Sequence, residues 1–343
     1  MPLTFDRLTT LEQLAAIRAE WNALLAHNSI NEVFLTWEWQ DAWWRAYQCG
    51  ELYVLVARDE NGALCGIAPW FIDLSDPDER VLRPVGCVDV TDYLDVIAPH
   101  AQRAAFCGGI AAYLKANSAD FSRINLCNVH GQSPTLVDLP SALEAVGFQV
   151  KLHPQEVCPV ITLPETFEGY LESLDKKHRH EARRKLRRTE NSEDNVAWHI
   201  IGAADDLETA LETFLTLMAA SHPSKAAFLE NEQHRTFFKL VMPRMADCGW
   251  LQLAFLTANG TPIASYLNFD YDNRILVYNS GLQPEGYAHL SGGIVLLLHL
   301  IKHAIQERRR EFDFLRGNEE YKYRMGGQDR PVIEIQARLA VSE

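Results

Sequence analysis

The residues that open an apolar segment near the C-terminus could bind an anion. Ser291, Gly292, Gly293 and Ile294 stand at the start of a predicted helix over 294–306. The first N–H groups of a helix have no intrahelical acceptor, and glycines leave them uncovered by side chains. Together with the helix dipole they form a site for a phosphate or pyrophosphate, with Ser291 as the N-cap. The alternative is a capped helix whose glycines serve only close packing.

Candidate acid and base residues follow this helix closely. Asp313 alternates with two phenylalanines on a predicted strand at 311–315, and Tyr321 lies just beyond that strand. A carboxylate can accept a proton and a phenol can donate one, so the pair could serve a group transfer. Arg316 and Lys322 are candidate contacts of the substrate. An ion-paired aspartate and a packed tyrosine are the structural alternatives.

A strongly basic segment precedes these motifs. Residues 175–190 contain eight Lys or Arg and three acidic residues, in a chain whose net charge is −14. Such an uneven distribution predicts a phosphate-bearing partner, for which Lys177 and Arg184 are candidate contacts. A solvated helix face is the alternative interpretation.

The N-terminal half offers a second group of polar residues. Asp92, Tyr93 and Asp95 could line an acceptor site that faces the other half, although a structural role for one of the carboxylates is an equal alternative. The tryptophans of segment 37–47 could stack a sugar, but their helical spacing is more typical of a core. We interpret His289, in the loop before the glycines, as a solvated residue.

Composition excludes several classes of protein. The 343 residues are 47% apolar, which suffices for about two globular domains. The acidic balance argues against general nucleic-acid binding. The seven cysteines form no CxxC pair, so we predict buried, reduced thiols and no metal. No signal peptide or membrane-length apolar run is visible, and we predict a cytoplasmic protein without membrane insertion.

Hydrophobic periodicity predicts alternating helices and strands. The predicted helices are 11–26, 37–47, 102–115, 136–146, 166–174, 175–190, 205–220, 231–246 and 294–306. The predicted strands are 51–58, 63–71, 122–128, 148–152, 158–163, 197–201, 250–256, 263–271, 275–281, 311–315 and 332–339, with 85–98 extended. Each half contains helices, a hairpin with Asn-Gly at its turn, a long strand, a helix and another strand. We therefore predict two lobes of similar architecture, residues 1–163 and 164–343.

The chain also resembles a known family. The pattern of Ser291-Gly292-Gly293, an apolar helix, residues 312–317 and Tyr321-Lys322 is similar to that of GNAT acyltransferases of polysaccharide biosynthesis (the CelD type), which are relatives of the Fem aminoacyltransferases. The common family form has Ser-Pro-Gly at the first of these motifs. Segments 37–39 and 92–96 and the basic helix are further matches, and the resemblance covers nearly the whole chain.

The resemblance implies an α/β fold of tandem GNAT-like lobes, each with a mixed, mostly antiparallel sheet flanked by helices. It implies acyl transfer to an amine, with acetyl-CoA or another acyl-CoA as donor. The donor would bind at 291–294 and along the strand edge formed by Asn279, Ser280 and Gly281, while Tyr321 would act as acid. Asp313, from its place on the predicted strand, is a candidate base or orienting residue.

The implied acceptor is an amine on a sugar or peptide precursor of cell-envelope polysaccharide, carried by a phosphorylated glycan or a nucleotide-sugar. Two alternatives remain at this stage. One is a Fem-type aminoacyltransferase that uses aminoacyl-tRNA. The other is a non-catalytic module that binds a phosphorylated glycan.

Overall fold

The computed structural model describes residues 3–87, 90–283 and 285–340. The chain divides into two compact units, Met1–Val157 with Arg330–Glu343, and Cys158–Asp329. The predicted boundary lies six residues later, after residue 163, and the predicted C-terminal lobe includes the last strand. That strand belongs to the first unit because Val332 and Ile335 pair with His130 and Leu126 there.

Twelve α-helices and fourteen strands lie within the described residues. The helices are α1 (Leu11–Ala16), α2 (Arg18–Leu25), α3 (Trp37–Tyr47), α4 (His100–Ala116), α5 (Thr135–Ala145), α6 (Phe167–Ser173), α7 (Lys176–Glu190), α8 (Leu207–Ser221), α9 (Pro223–Glu230), α10 (Glu232–Asp247), α11 (Gly292–Gln306) and α12 (Glu320–Arg324). The strands are β1 (Thr4–Leu8), β2 (Gly50–Leu52), β3 (Val54–Arg58), β4 (Leu64–Ala68), β5 (Trp70–Asp73), β6 (Val81–Pro84), β7 (Arg123–His130), β8 (Phe148–Thr162), β9 (Ala197–Ile200), β10 (Leu251–Ala258), β11 (Thr261–Tyr271), β12 (Arg274–Leu282), β13 (Glu311–Asp313) and β14 (Gln328–Leu339).

The first unit contains a mixed sheet and a small antiparallel one. Strands follow the order β2-β5-β6-β7-β14 in the larger sheet, and β1, β3 and β4 form the smaller. Among the pairs of the larger sheet, β6 and β7 are parallel and the others antiparallel. Helices α4 and α5 supply Phe106, Ile110, Leu139 and Leu143, which are fully buried in the core of this unit.

The second unit repeats this arrangement. Its strand order is β13-β12-β11-β10-β9, with residues 158–162 of β8 beside β13. Strands β12 and β13 are parallel, and the other pairs are antiparallel. The turns Asn259-Gly260 and Asp272-Asn273 have positive φ at both residues, as tight hairpins of type I′ require. The predicted fold class, α/β with tandem GNAT-like lobes, is confirmed.

Helix α11 is the core helix of the second unit. Leu296, Leu297, Leu298 and Leu300 are fully buried, and the helix lies against β10, β11 and β12. By length and composition the stretch Ala288–Gln306 is apolar enough to cross a membrane, and 50% of it is buried inside the protein. Packing within the unit accounts for this composition, since a helix that is apolar on most faces is buried on most faces.

Several elements differ from the predicted ones. The helix predicted at 11–26 is two helices that meet at Ile17. The strands predicted at 148–152 and 158–163 are one strand, β8, whose middle residues are exposed and polar and therefore resemble a loop in sequence. Helices α9 and α12 and strand β1 are additional to the prediction.

The cysteines also depart from the prediction of reduced thiols. Cys87 and Cys127 form a disulfide, with Cα atoms 6.1 Å apart. The other cysteines are free thiols, of which Cys65, Cys107 and Cys158 are buried.

Candidate functional site

A cavity of about 480 Å³ opens in the second unit beside the C-terminal end of β12. It contains five of the predicted donor-binding residues: Ser280, Ser291, Gly292, Gly293 and Ile294. Further lining residues, some of which the sequence did not suggest, are Lys185, Ser221, Tyr266, Tyr287 and Tyr321. The cavity therefore joins a strand edge, a helix start and a phenol in one continuous space.

Two parallel strands separate next to this cavity. Strands β12 and β13 pair only from Arg274–Leu276 to Glu311–Asp313, after which β13 ends and β12 continues to Leu282. A bulge interrupts β12 on its other side, where Leu267 of β11 pairs with Asn279 and Asn268 pairs with Val277. The divergence of β12 from β13 leaves one edge of β12 open along the cavity.

The backbone carbonyl of Ser280 points toward this open edge. The N–H of Gln283 donates to the carbonyl of Ile263 on β11 at 2.9 Å. Hydrogen-bonded and non-hydrogen-bonded pairs alternate along an antiparallel ladder. Ser280, which lies opposite Tyr266, therefore belongs to a pair whose backbone groups point away from the partner strand. An extended ligand can bind such an edge as an added strand.

The start of α11 differs from the predicted cap. Ser291 has a φ of 55°, and its side chain makes no capping hydrogen bond; its Oγ instead accepts from Lys185 Nζ at 2.9 Å. The N–H of Ile294 donates to the Ser291 carbonyl at 3.0 Å and is therefore engaged. In the part of the chain that the structure describes, the N–H groups of Gly292 and Gly293 have no backbone acceptor, so they are the donors that an anion would meet.

Gly293 and Gly281 are glycines for different structural reasons. A Cβ on Gly293 would lie 2.7 Å from a methyl group of Leu282, in the cavity wall. A Cβ on Gly281 would lie 2.6 Å from the backbone of α8, so this glycine permits close packing of α8 rather than donor binding. Asn279 does not line the cavity, and its Oδ1 accepts the N–H of Ser280 at 2.9 Å. Gly281 and Asn279, which were predicted to bind the donor, therefore do not line this cavity.

Helix α7 carries positive charge to the cavity, but through other residues than the predicted ones. Ala182 and Thr189 are buried, so the face between them points inward and places Lys185 in the cavity wall. Arg188 donates to the carbonyl of His289 at 2.8 Å, which ties the basic helix to the loop before α11.

The two basic residues selected from the sequence lie elsewhere on α7. Arg184 donates to both carboxylate oxygens of Glu181, at 2.8 and 3.1 Å, so an acidic neighbour already satisfies it. Lys177 is exposed near the start of the helix and does not line the cavity. The predicted contact of these two residues with the substrate is not supported.

Tyr321 lies in the cavity wall, as its predicted acid role requires. Burial raises the pKa of Tyr321 above the usual value of a phenol, with the Glu319 carboxylate as a second cause. Burial likewise raises the pKa of Tyr266, with Tyr321 contributing. Both phenols are therefore protonated at neutral pH and able to donate.

Asp313, predicted as a base, and Lys322, predicted as a substrate contact, both make hydrogen bonds within the protein. Asp313 is fully buried, and its Oδ1 accepts the N–H of Leu315 at 2.7 Å. Lys322 is 2% exposed, and its Nζ donates to the carbonyls of Leu315, Arg316 and Gly317. The two side chains fix the segment between β13 and α12, and neither lines the cavity. Arg316, half-buried in the same segment, does not line it either.

Helix α9 places a lysine beside the open edge of β12. Lys225 Nζ donates to the carbonyl of Ser280 at 2.6 Å and lies 3.3 Å from its Oγ. Burial lowers the pKa of Lys225 to about 8, against the opposing effect of the Glu319 carboxylate. Sequence reasoning missed this residue because it missed the helix, although Pro223 at the first helical position after the His222 cap is a start signal.

The corresponding edge in the first unit is filled by the chain itself. Strand β6 pairs with β7 only at Val81 and Leu82. Beyond that point the N–H of Leu94 donates to the carbonyl of Asn128 at 2.7 Å, and Leu94 forms a parallel bridge with Val129. The segment around Leu94 thus takes the place that the second unit leaves open.

The pairing of the Leu94 segment with β7 explains why three residues predicted to bind the acceptor are buried. Tyr93, Asp95 and Asp92 are 0%, 5% and 8% exposed. Asp95 accepts a hydrogen bond from the Ser133 hydroxyl and another from the N–H of Val96. The three residues predicted to bind the acceptor are therefore buried within the first unit.

Two of the structural interpretations are confirmed. The tryptophans Trp39, Trp43 and Trp44 are buried in the first unit. His289 is mostly exposed, with its Nε2 3.0 Å from the Asp194 carboxylate.

Residues 176–323 match the family model of the acetyltransferase (GNAT) domain. This match covers most of the second unit, which is therefore similar to a GNAT acetyltransferase domain. The match begins with α7 and ends in α12, so it includes Lys185, Lys225, the start of α11 and Tyr321. No curated protein matches the chain in sequence.

The similarity to solved structures covers more of the chain than the match to the family model. The crystal structure of FemX is 10% identical, with 98% of this chain and 97% of that chain covered and a TM-score of 0.66. A conserved protein of unknown function from Bacteroides thetaiotaomicron is 13% identical, with coverage of 99% and 100% and a TM-score of 0.59. A tandem GNAT protein from the clavulanic acid biosynthesis pathway is 13% identical, with coverage of 100% of both chains and a TM-score of 0.51. At these identities the likeness concerns the fold.

Proposed function

We propose that this protein transfers an acyl group from acyl-CoA to an amine on a sugar or peptide precursor of cell-envelope polysaccharide, in the manner of the CelD-like proteins. One observation carries the proposal: a single cavity connects the free amides at the start of α11, the open edge of β12 and the protonated phenol of Tyr321. These are a phosphate site, a strand-pairing site and a proton donor.

The residues of the cavity fit a coenzyme A donor. The N–H groups of Gly292 and Gly293 would accept the pyrophosphate, and the Lys185 ammonium beside Ser291 would neutralise part of its charge. The pantetheine arm would extend along β12 past Ser280. Bound acyl-CoA would supply the thioester that the amine attacks. A side chain at position 293 would press on Leu282 in the cavity wall, next to the proposed pyrophosphate site.

The phenol supports direct transfer. As the thiolate departs it needs a proton, and the protonated Tyr321 hydroxyl in the cavity wall can provide it. Direct transfer requires no nucleophilic side chain of the enzyme. Use of a cytoplasmic acyl donor also motivates the proposal of a cytoplasmic location, to which the Cys87–Cys127 disulfide is the one contrary feature.

Titration calorimetry with coenzyme A and acetyl-CoA tests the donor site. Gly293→Val should abolish binding, because its side chain meets Leu282 in the cavity wall. Gly108→Val is the matched control, since Gly108 lies in helix α4 with open space around its Cβ position. Both variants should keep the circular dichroism and melting temperature of a folded protein. Coenzyme A binding that is equal in wild type and Gly293→Val would refute the site.

The basic surface of α7 favours one alternative, an aminoacyltransferase of the Fem type that uses aminoacyl-tRNA. Lys176, Lys177 and Arg187 are exposed and form no ion pair with the residues that the structure describes. Such charges suit a phosphate backbone. Activity that is lost after ribonuclease treatment and restored by charged tRNA would favour this alternative, and activity with purified acyl-CoA in the presence of ribonuclease would exclude it.

A further inference from the structure

The amine of Lys225 occupies a position that a bound donor needs. Its Nζ lies 2.6 Å from the Ser280 carbonyl, and that carbonyl points toward the open edge of β12. An amide N–H of an added strand would stand about 2.9 Å from the same oxygen. Lys225 thus takes the hydrogen-bonding place of a pantetheine amide, and donor binding must move the amine aside while leaving it next to the arm.

Few charged groups surround this amine. Ser280 contributes a carbonyl and a hydroxyl, and the carboxylate of Glu319 lies on the segment after β13. The Glu319 carboxylate is itself 2.9 Å from Lys322 Nζ, so its charge is shared. Tyr266 and Tyr321 in the cavity wall are neutral, and the Lys185 ammonium donates to Ser291. Lys225 therefore lacks a dedicated carboxylate partner among these neighbours, and burial favours its neutral form.

We infer that Lys225 is a site of self-acylation by the bound acyl donor. The inference rests on the proposed donor site, whose cavity is lined by Ser280, the residue to which Lys225 donates. The neutral Nζ attacks the acyl carbon, a C–N bond forms and the C–S bond breaks. One Nζ proton passes to solvent on the side of the exposed Glu319 carboxylate. The departing thiolate takes a proton from Tyr321 or from water. The products are an amide at Lys225 and free coenzyme A.

Acylation of Lys225 would change the open edge of β12 beside the cavity. The amide carries no positive charge, so the Ser280 carbonyl loses its ammonium donor, and the added acyl group stays at the edge along which the next donor must extend. Self-acylation would therefore slow the enzyme when donor is abundant and acceptor is scarce.

Mass spectrometry with acetyl-CoA as the probe tests this inference. Full-length protein is incubated with acetyl-CoA without an acceptor, and acetylation is mapped by peptide. We expect an acetyl group at Lys225 and little at Lys239, an exposed lysine on the neighbouring helix α10. Between pH 7 and pH 9 the rate should rise roughly tenfold, as the neutral fraction of an amine with a pKa of about 8 does. Addition of excess coenzyme A should suppress the modification.

Two variants distinguish acetylation that requires the donor site from non-specific chemical acetylation. Gly293→Val should lose the acetyl group at Lys225 with acetyl-CoA, yet acquire it with acetic anhydride, which needs no donor site. Lys225→Arg should bind coenzyme A and show no acetylation above background. Equal acetylation of Lys225 and Lys239, or acetylation of Lys225 that survives Gly293→Val, would overturn the inference.

The donor assay distinguishes the two possible failures. Coenzyme A that binds in calorimetry while Lys225 stays unmodified would overturn self-acylation and leave the proposed function standing. Absence of both binding and modification would overturn the donor site and the inference together.

Discussion

Lys185 offers a quantitative test of the phosphate end of the cavity. Its side chain is 16% exposed and lies 2.9 Å from Ser291 Oγ and 3.5 Å from a Glu181 carboxylate oxygen. A pyrophosphate on the amides of Gly292 and Gly293 would meet this ammonium directly. Two opposite charges 4 Å apart near a protein surface attract by about 4 kcal/mol. In the free protein Glu181 already provides part of that stabilisation, so the net gain is smaller.

A net hydrogen bond to a charged group contributes about 1.5–3 kcal/mol. Lys185→Met should therefore raise the Kd for coenzyme A by roughly 10- to 150-fold, since each 1.4 kcal/mol changes affinity tenfold. The same variant should bind pantetheine, which has no pyrophosphate, as wild type does. Lys177→Met is the matched control, because it removes an equal charge from the same helix outside the cavity.

Calorimetry with coenzyme A and pantetheine at two salt concentrations measures the contribution of the Lys185 charge to affinity. The loss for Lys185→Met should shrink at high salt, as screening weakens the wild-type contact. Equal affinity of wild type and Lys185→Met for coenzyme A would refute the phosphate site. An equal loss for coenzyme A and pantetheine would show that the methionine disturbs the cavity as a whole and not the charge.

Three further predictions concern the acid, the first unit and a buried carboxyl. Tyr321→Phe should lower kcat roughly 10²- to 10⁴-fold without changing the Kd for coenzyme A, and a rate equal to wild type would exclude the phenol as acid. Calorimetry should give one coenzyme A per chain, because the edge of β7 is filled by residues around Leu94; two sites would contradict this. Burial raises the folded-state pKa of Asp95 above its unfolded value, so its contribution to stability is present below about pH 4 and is lost as the pH rises through the folded pKa. Wild type should therefore lose stability relative to Asp95→Asn between pH 4.5 and 7.5 in urea unfolding, and a pH-independent difference would refute this.

Local signals predicted much of the fold. Helix α3 has the predicted limits, because Thr36 caps it through the N–H of Trp39 and Gln48 ends it with a left-handed conformation. The Asn259-Gly260 turn forms as the dipeptide requires. The assignment of β14 to the first unit could not be predicted, since it depends on pairing with β7 about two hundred residues earlier in the chain.

The candidate site likewise contains residues that the local sequence identifies and residues that only the tertiary structure identifies. The glycines at the start of α11 and Tyr321 are recognisable from local sequence. Lys185 was one of eight basic residues, and only the helical period that buries Ala182 and Thr189 singles it out. Lys225 reaches the site by tertiary packing of a short helix, and no local pattern relates it to Ser280.

The two units differ in what lies between their diverging parallel strands. Each places a strand, a connection and a helix before a parallel strand, and in each the parallel strands diverge after two or three paired residues. In the first unit the connection, residues 85–99, is long enough for Leu94 to pair with Asn128 on β7 and for Ile97 to pair with Ile67 on β4. In the second unit the connection, residues 283–291, is shorter and leads directly into α11. The length of this connection decides whether the backbone groups of the diverging strand are satisfied within the chain or remain open to a ligand.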